Sequence, residues 1–174
     1  WGQEGSGDGE FDMPWGIGLD ADNNVYIADW RNDRIQKFAP DGSFLMAFGE
    51  SGSEDGQFNR PADVAVDKEG LIYVADWRND RVQVFDAEGR FITEIIGDAT
   101  LSKWGITKLD ANPDMKMQRD IAQGLEREKF LRGPMGVVVD DQDQVFIVDS
   151  QRNRIQIYRK IPPFFVGLYD GGRL

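Results

Sequence analysis

The chain has 174 residues, 40% of them hydrophobic, which is room for one domain with a sizeable core. Twenty Lys and Arg stand against 31 Asp and Glu, and the resulting charge of −11 argues against nucleic-acid binding by counterion release, although a local basic patch is compatible with it. With no Cys and no His, the sequence excludes disulfides, thiol nucleophiles, the Ser-His-Asp arrangement and the commonest zinc ligand, and leaves catalysis to carboxylates, Lys, Tyr or a hard metal ion.

No apolar run approaches the roughly 18 residues of a membrane span. In chain order, the first ten residues open the stretch WGQEGSGDGEFDMP, which matches FGESGSEDGQFNRP 47 residues later, so residues 1–10 read as the end of a preceding repeat. The segment 11–57 then repeats as 58–96: Pro14 corresponds to Pro61, Asp29 to Asp76, Arg34 to Arg81, and the hexapeptide DWRNDR stands at both 29–34 and 76–81. A third copy, 130–174, follows at an offset of 73, with Pro134 on Pro61 and Asp149 on Asp76. The extra length falls in 97–129.

Each copy divides into four short strands. The first is IGLD, VAVD or VVVD, the second VYIAD, IYVAD or VFIVD, the third RIQKF, RVQVF or RIQIY, and the fourth FLMAF, FITEII or FFVGLY. ADNN, KEG and DQD join first to second, and PDG and AEG join third to fourth, as hairpin turns. The repeat is therefore an antiparallel meander whose inner strands are apolar on both faces. Such meanders must stack face to face, as propeller blades do.

The pattern F-x-x-P-x-G, then V-D, then V-Y-V-A-D-x-x-N-x-R-I-Q-x-F, then G-x-G-x-G-x-F, resembles the NHL repeat over essentially the whole chain except 97–129. The third copy departs from it, with Ser150, Gln151 and Arg152 where the others carry Trp, Arg and Asn. The resemblance implies an all-β propeller; since such propellers usually have six blades, three amount to half a ring. The missing half is expected from further blades of the same parent protein or from a second copy in a homodimer.

The insertion carries six acidic and six basic residues and is neutral. Asn112 before Pro113 reads as an N-cap followed by N1, and Met117, Ile121 and Leu125 at four-residue spacing predict an amphipathic helix of about 12 to 16 residues, ending near Lys129. Leu101 and Trp104 predict a shorter helical turn before it.

Recurrence separates structure from chemistry. The Asp and Arg of DWRNDR are copied into every blade (Asp29 with Arg34, Asp76 with Arg81, Asp149 with Arg154), which fits a charge-assisted bond holding a loop better than a catalytic pair. DADNN at 20–24 lacks the Gly and the Glu of a calcium loop. GSGDGE and GSEDGQ lack the Lys of a phosphate loop and lead into strands. Positions where the copies differ are more informative. Before each innermost strand stand Gly16, Asp63 and Gly136, so one blade alone offers a carboxylate, and Asp63 is the candidate ligand contact or calcium-binding residue. Strand direction places the loops between second and third strands, and the insertion, on one face. That face collects Trp30, Arg31, Trp77, Arg78 and Asp63 as the candidate partner site. The functional expectation is a binding or scaffold module for a protein or other ligand, leaning away from an enzyme. The alternative is part of a calcium-dependent hydrolase or lactonase, or a lyase-like enzyme; the His-bound zinc of related amidating lyases cannot be supplied here.

Overall fold

The computed structural model describes residues 1–101, 103–161 and 164–167. Three four-stranded antiparallel sheets follow one another along the chain. The first blade holds β1 (Pro14–Leu19), β2 (Val25–Asp29), β3 (Arg34–Phe38) and β4 (Phe44–Phe48); the second holds β5 (Pro61–Val66), β6 (Ile72–Asp76), β7 (Arg81–Phe85) and β8 (Phe91–Ile95). After the insertion come β9 (Pro134–Val139), β10 (Gln144–Asp149), β11 (Arg154–Ile161) and β12 (Phe164–Gly167). Leu168 and Tyr169, which the sequence adds to the last strand, lie outside the described residues. Strand order within each blade is the order of the chain, so every blade is a meander with β1, β5 or β9 innermost.

The blades stack through two apolar clusters, because both faces of a central blade are buried. Tyr26, Ala28 and Ile35 of the first blade pack on Val64, Ile72, Val74 and Phe85 of the second. Tyr73, Ala75, Val82 and Val84 on the other face of the second blade pack on Val137, Val145, Ile147 and Tyr158 of the third. The alternation of side chains along each strand thus divides one strand between two interfaces.

The repeated Asp–Arg pair is the fastening of each blade. Asp76 is fully buried at the end of β6; its Oδ1 accepts the Asn59 backbone N–H at 2.8 Å. Its Oδ2 accepts from Asn79 Nδ2 at 2.8 Å, Arg81 Nε at 3.0 Å and Gln83 Nε2 at 3.3 Å. Arg81 and Gln83 in turn donate to the carbonyls of Glu54 and Gln57, so the glycine-rich loop is tied to the same carboxylate. Asp29 repeats this with Asp12, Asn32, Arg34 and Gln36. Asp149 repeats it with Arg132, Arg154 and Gln156, without the Asn.

Neighbouring blades are also latched by backbone. Asp33 and Asp80, both left-handed at φ 50° and 56°, accept the N–H of Arg60 and Gly133 of the next blade at 2.7 Å. Met13 and Asn153 occupy the corresponding positions at the two open ends, with the same left-handed backbone. Those ends are apolar. Ile17 (64% exposed) and Leu19 (55%) face outward from the first blade, and Val148 (44%) and Ile155 (51%) from the third. Trp1 and Phe11 cover part of the first end by packing on Phe38, as Phe48 and Phe58 pack on Phe85.

The insertion differs from the sequence expectation. It forms two helices, α1 (Lys103–Asp110) and α2 (Pro113–Ile121), and a 3-10 turn at Leu125–Glu128. The cap is as read, with Asn112 accepting the Met115 N–H at 3.4 Å and Pro113 in the first turn. The helix nevertheless ends nine residues later, because Ala122 is extended and Gly124 is left-handed. None of the residues of α2 is buried, so no packing extends it through that glycine.

Two outcomes follow. Asp76→Ala strands the buried donors of Asn59, Asn79 and Gln83 and leaves Arg81, whose side chain is 8% exposed, with only the partly exposed Glu94 as counter-charge, and is expected to cost about 3–5 kcal/mol in denaturant unfolding. The two apolar ends are expected to drive association, so light scattering should find a species heavier than the 19.7 kDa chain; a concentration-independent monomer would refute this.

Candidate functional site

The loop-bearing face is built on the fastened ends of the second strands. Immediately after Asp29 and Asp76 the chain turns through Trp30 and Trp77, and the buried carboxylates hold those turns in place. Sequence reading pairs each Trp with its following Arg. The structure also packs the indoles on one another: Trp30 and Trp77, from adjacent blades, lie 5.0 Å apart between ring centroids with their planes tilted by 32°. Both are half-buried.

A third indole joins them. Trp15 lies 4.5 Å from Trp30 in a stacked arrangement and is 48% exposed, which makes it the open end of a three-ring ladder. Trp15 was not singled out from the sequence, though the signal was there: its counterparts are Ala62 and Met135. Trp15 sits in a register shift between Pro14 and Ile17 that recurs at Pro61/Asp63 and Pro134/Gly136, so the irregularity belongs to the repeat and the indole to the first blade alone.

The arginines part company. Arg78 lies over the Trp77 ring, its guanidinium carbon 5.4 Å from the centroid, and closes the far end of the ladder. Arg31 turns to Asp12 at 3.5 Å, a largely exposed ion pair of little energetic weight. In the third blade Ser150 replaces the indole and donates its hydroxyl to the Gly133 carbonyl at 2.6 Å. A blade therefore closes without a Trp at this position.

Asp63 is separate from the ladder. It lines a cleft of about 240 Å³ along the inner strands, with Ile17, Leu19, Val64, Val66 and Val138, and is its only ionisable lining residue. Its Oδ2 accepts the Val137 N–H at 3.0 Å and so joins the second and third blades. Gly16 explains why the first blade has no such group: a Cβ there would lie 2.4 Å from the Asp63 Cα and 2.6 Å from the Ala62 carbonyl oxygen. Burial pushes the Asp63 carboxyl above the usual range, while the N–H groups of Val137 and Val64 pull it down. Among the described residues no group of three His, Cys, Asp or Glu is gathered as a metal centre, and Asp63 has no second carboxylate beside it in its cleft.

With the geometry in place, comparison with known proteins gives a consistent picture. A model of the NHL repeat matches residues 11–38, 58–85 and 131–158. Protein lin-41 of Caenorhabditis elegans is 51% identical over 45 residues, 26% of this chain and 4% of that protein. The E3 ubiquitin-protein ligase TRIM71 of Rattus norvegicus is 46% identical over 44 residues, 25% of this chain and 5% of that protein. The chain spans a small fraction of the length of these relatives. Among solved structures, a streptogramin B lyase aligns over 95% of this chain and 42% of its own, with a TM-score of 0.56 at 13% identity. Virginiamycin B lyase from Staphylococcus aureus aligns over 89% and 40%, with a TM-score of 0.55 at 14% identity. At such identities the likeness shows the β-propeller fold alone.

A carboxyl raised by burial favours folding fully below the ordinary Asp range, and that contribution is lost as pH rises through the raised value. Asp63→Asn keeps an oxygen acceptor for Val137 and removes the charge. The variant is therefore expected to gain stability relative to wild type between pH 4 and pH 7, the two converging in acid. Calcium that raises the melting temperature of wild type but not of the variant would make Asp63 a metal ligand.

Proposed function

Because the chain belongs to the NHL-repeat family, we propose that it is a binding or scaffold module that grips a protein or other ligand on the face carrying the loops between second and third strands and the insertion. The observation that carries this is the ladder of Trp15, Trp30 and Trp77, capped by Arg78. The blade fold does not demand it, since Ser150 and Met135 stand at these positions in the third blade. Large rigid aromatics set on fastened loops lose little conformational freedom on binding, and Trp and Arg dominate the energetics of interfaces.

The net charge of −11 favours a protein over a phosphate backbone as the partner. Protein lin-41 and TRIM71 match this chain over only 45 and 44 residues, so the ligase activity in the name of TRIM71 is not carried over. A calcium-dependent hydrolytic reading rests on Asp63 alone, and calcium takes six to eight oxygens.

Selection from a displayed random peptide library supplies the test. Peptides chosen on wild type are expected to lose at least about tenfold in affinity, or roughly 1.4 kcal/mol, on a Trp30→Ser, Trp77→Ser double variant that copies the third blade. Equal binding to both proteins would remove the ladder from the site. A large loss of folding stability in the variant, with binding retained, would mark these indoles as structural.

A further inference from the structure

On the same face, a cleft of about 500 Å³ lies between the second and third blades, lined by Asn79, Asp80, Ile96, Phe130, Leu131 and three arginines, Arg127, Arg132 and Arg152. We propose that it is a phosphoryl-binding site for a phosphorylated segment of a protein partner. That the phosphoryl group arrives on a protein rests on the reading of this face given above; the cleft chemistry does not.

The first support is charge. Among the described residues none of the three arginines has an ion pair, in a chain whose acidic groups outnumber its basic ones. The carboxylates next to these arginines in the chain or the blade are paired with other cations. Glu126 pairs with Lys129, Glu128 with Arg119, and Asp149 with Arg154. Asp80, in the lining itself, uses Oδ1 to accept the Gly133 N–H at 2.7 Å, and it is the one acidic group a bound anion would face.

The second support comes from the repeat. Asp12, Asn59 and Arg132 are equivalent, since each donates its backbone N–H to the fastening Asp of its blade. Asn32, Asn79 and Arg152 are equivalent likewise. Only the third blade changes both to Arg. Arg152 gives up the amide bond to the fastening Asp and donates instead to the carbonyls of Phe130 and Arg127. It thereby binds the end of the insertion to the blade, at a cleft that Arg127 and Arg132 both line. Arg127 and Arg132, which line the cleft and have no ion pair, bring forked N–H donors that match the oxygens of a phosphoryl group and hold it more strongly than a neutral donor set, with the charge of Arg152 behind them. A single dianionic group confined to the cleft escapes the repulsion that the whole surface exerts on a polyanion.

Titration calorimetry of the full chain with inorganic phosphate, a phosphoserine peptide, its unphosphorylated form and a short RNA tests this. Phosphate and the phosphopeptide are expected to compete for one site, the unphosphorylated peptide to fail, and both Arg132→Asn and Arg127→Gln to weaken binding at least tenfold. Arg132→Asn copies the second blade, and unchanged circular dichroism confirms its fold. Phosphate binding with no preference for the phosphopeptide would overturn the protein partner while leaving the cleft. RNA binding tighter than the phosphopeptide would overturn it as well. Binding that survives both substitutions, or no phosphate binding at all, would overturn the site. The Trp30→Ser, Trp77→Ser variant should keep its phosphate affinity, so failure of the ladder and failure of the cleft are read separately.

Discussion

An aspartate at the end of each second strand collects donors from the loop that arrives before the blade and from the third strand, and in the first two blades from the turn that follows the strand as well. Asp29, Asp76 and Asp149 are completely buried, so each carboxylate has lost its water and is compensated only by this set of N–H groups. Burial pushes the Asp76 carboxyl up, against the pull of Asn59, Asn79 and Arg81. Such an arrangement adds little net stability over an apolar core but strongly penalises any other register, since a slipped strand strands a charge. The loops of one face are thereby fixed, and side chains borne on them can be large and partly exposed without collapsing into the core.

On that rigid base the blades have been specialised differently. The first two share the indole ladder, with Trp15 supplied by β1 and Trp30 and Trp77 by equivalent turns. The third gives up its indole for Ser150, gains Arg132 and Arg152, and receives Arg127 from the insertion. The channel side carries a single carboxylate, since the close approach of β1 to β5 leaves Gly16 no room for a side chain. One repeat thus supports an aromatic region, a basic cleft and an apolar channel wall with one ionisable group.

How much of this was legible in the sequence depended on repetition. Residues copied into every blade announced the strands, the hairpins and the Asp–Arg fastening, because recurrence at a fixed offset reports a shared environment. Trp15 was missed since it stands at the irregular start of an inner strand, before the apolar run by which that strand was recognised, and its stacking on Trp30 leaves no mark in the strand pattern. Arg127 has no counterpart in the other copies, so no offset could bring it to the cleft that Arg132 lines. The length of α2 was overread for a related reason: Met117, Ile121 and Leu125 keep helical spacing, but no apolar surface receives that stripe, and Gly124 ends it.

The indole ladder crosses the seam between two blades that are otherwise joined by apolar packing and the Asp33 latch. Chromophores 4.5 and 5.0 Å apart couple electronically, and the coupling depends steeply on separation and mutual angle. The protein consequently carries an optical gauge of its own across that seam. A small rotation of the first blade against the second would alter the near-ultraviolet exciton signal and the indole emission before any strand is lost, without a label and without disturbing the Asp network beneath.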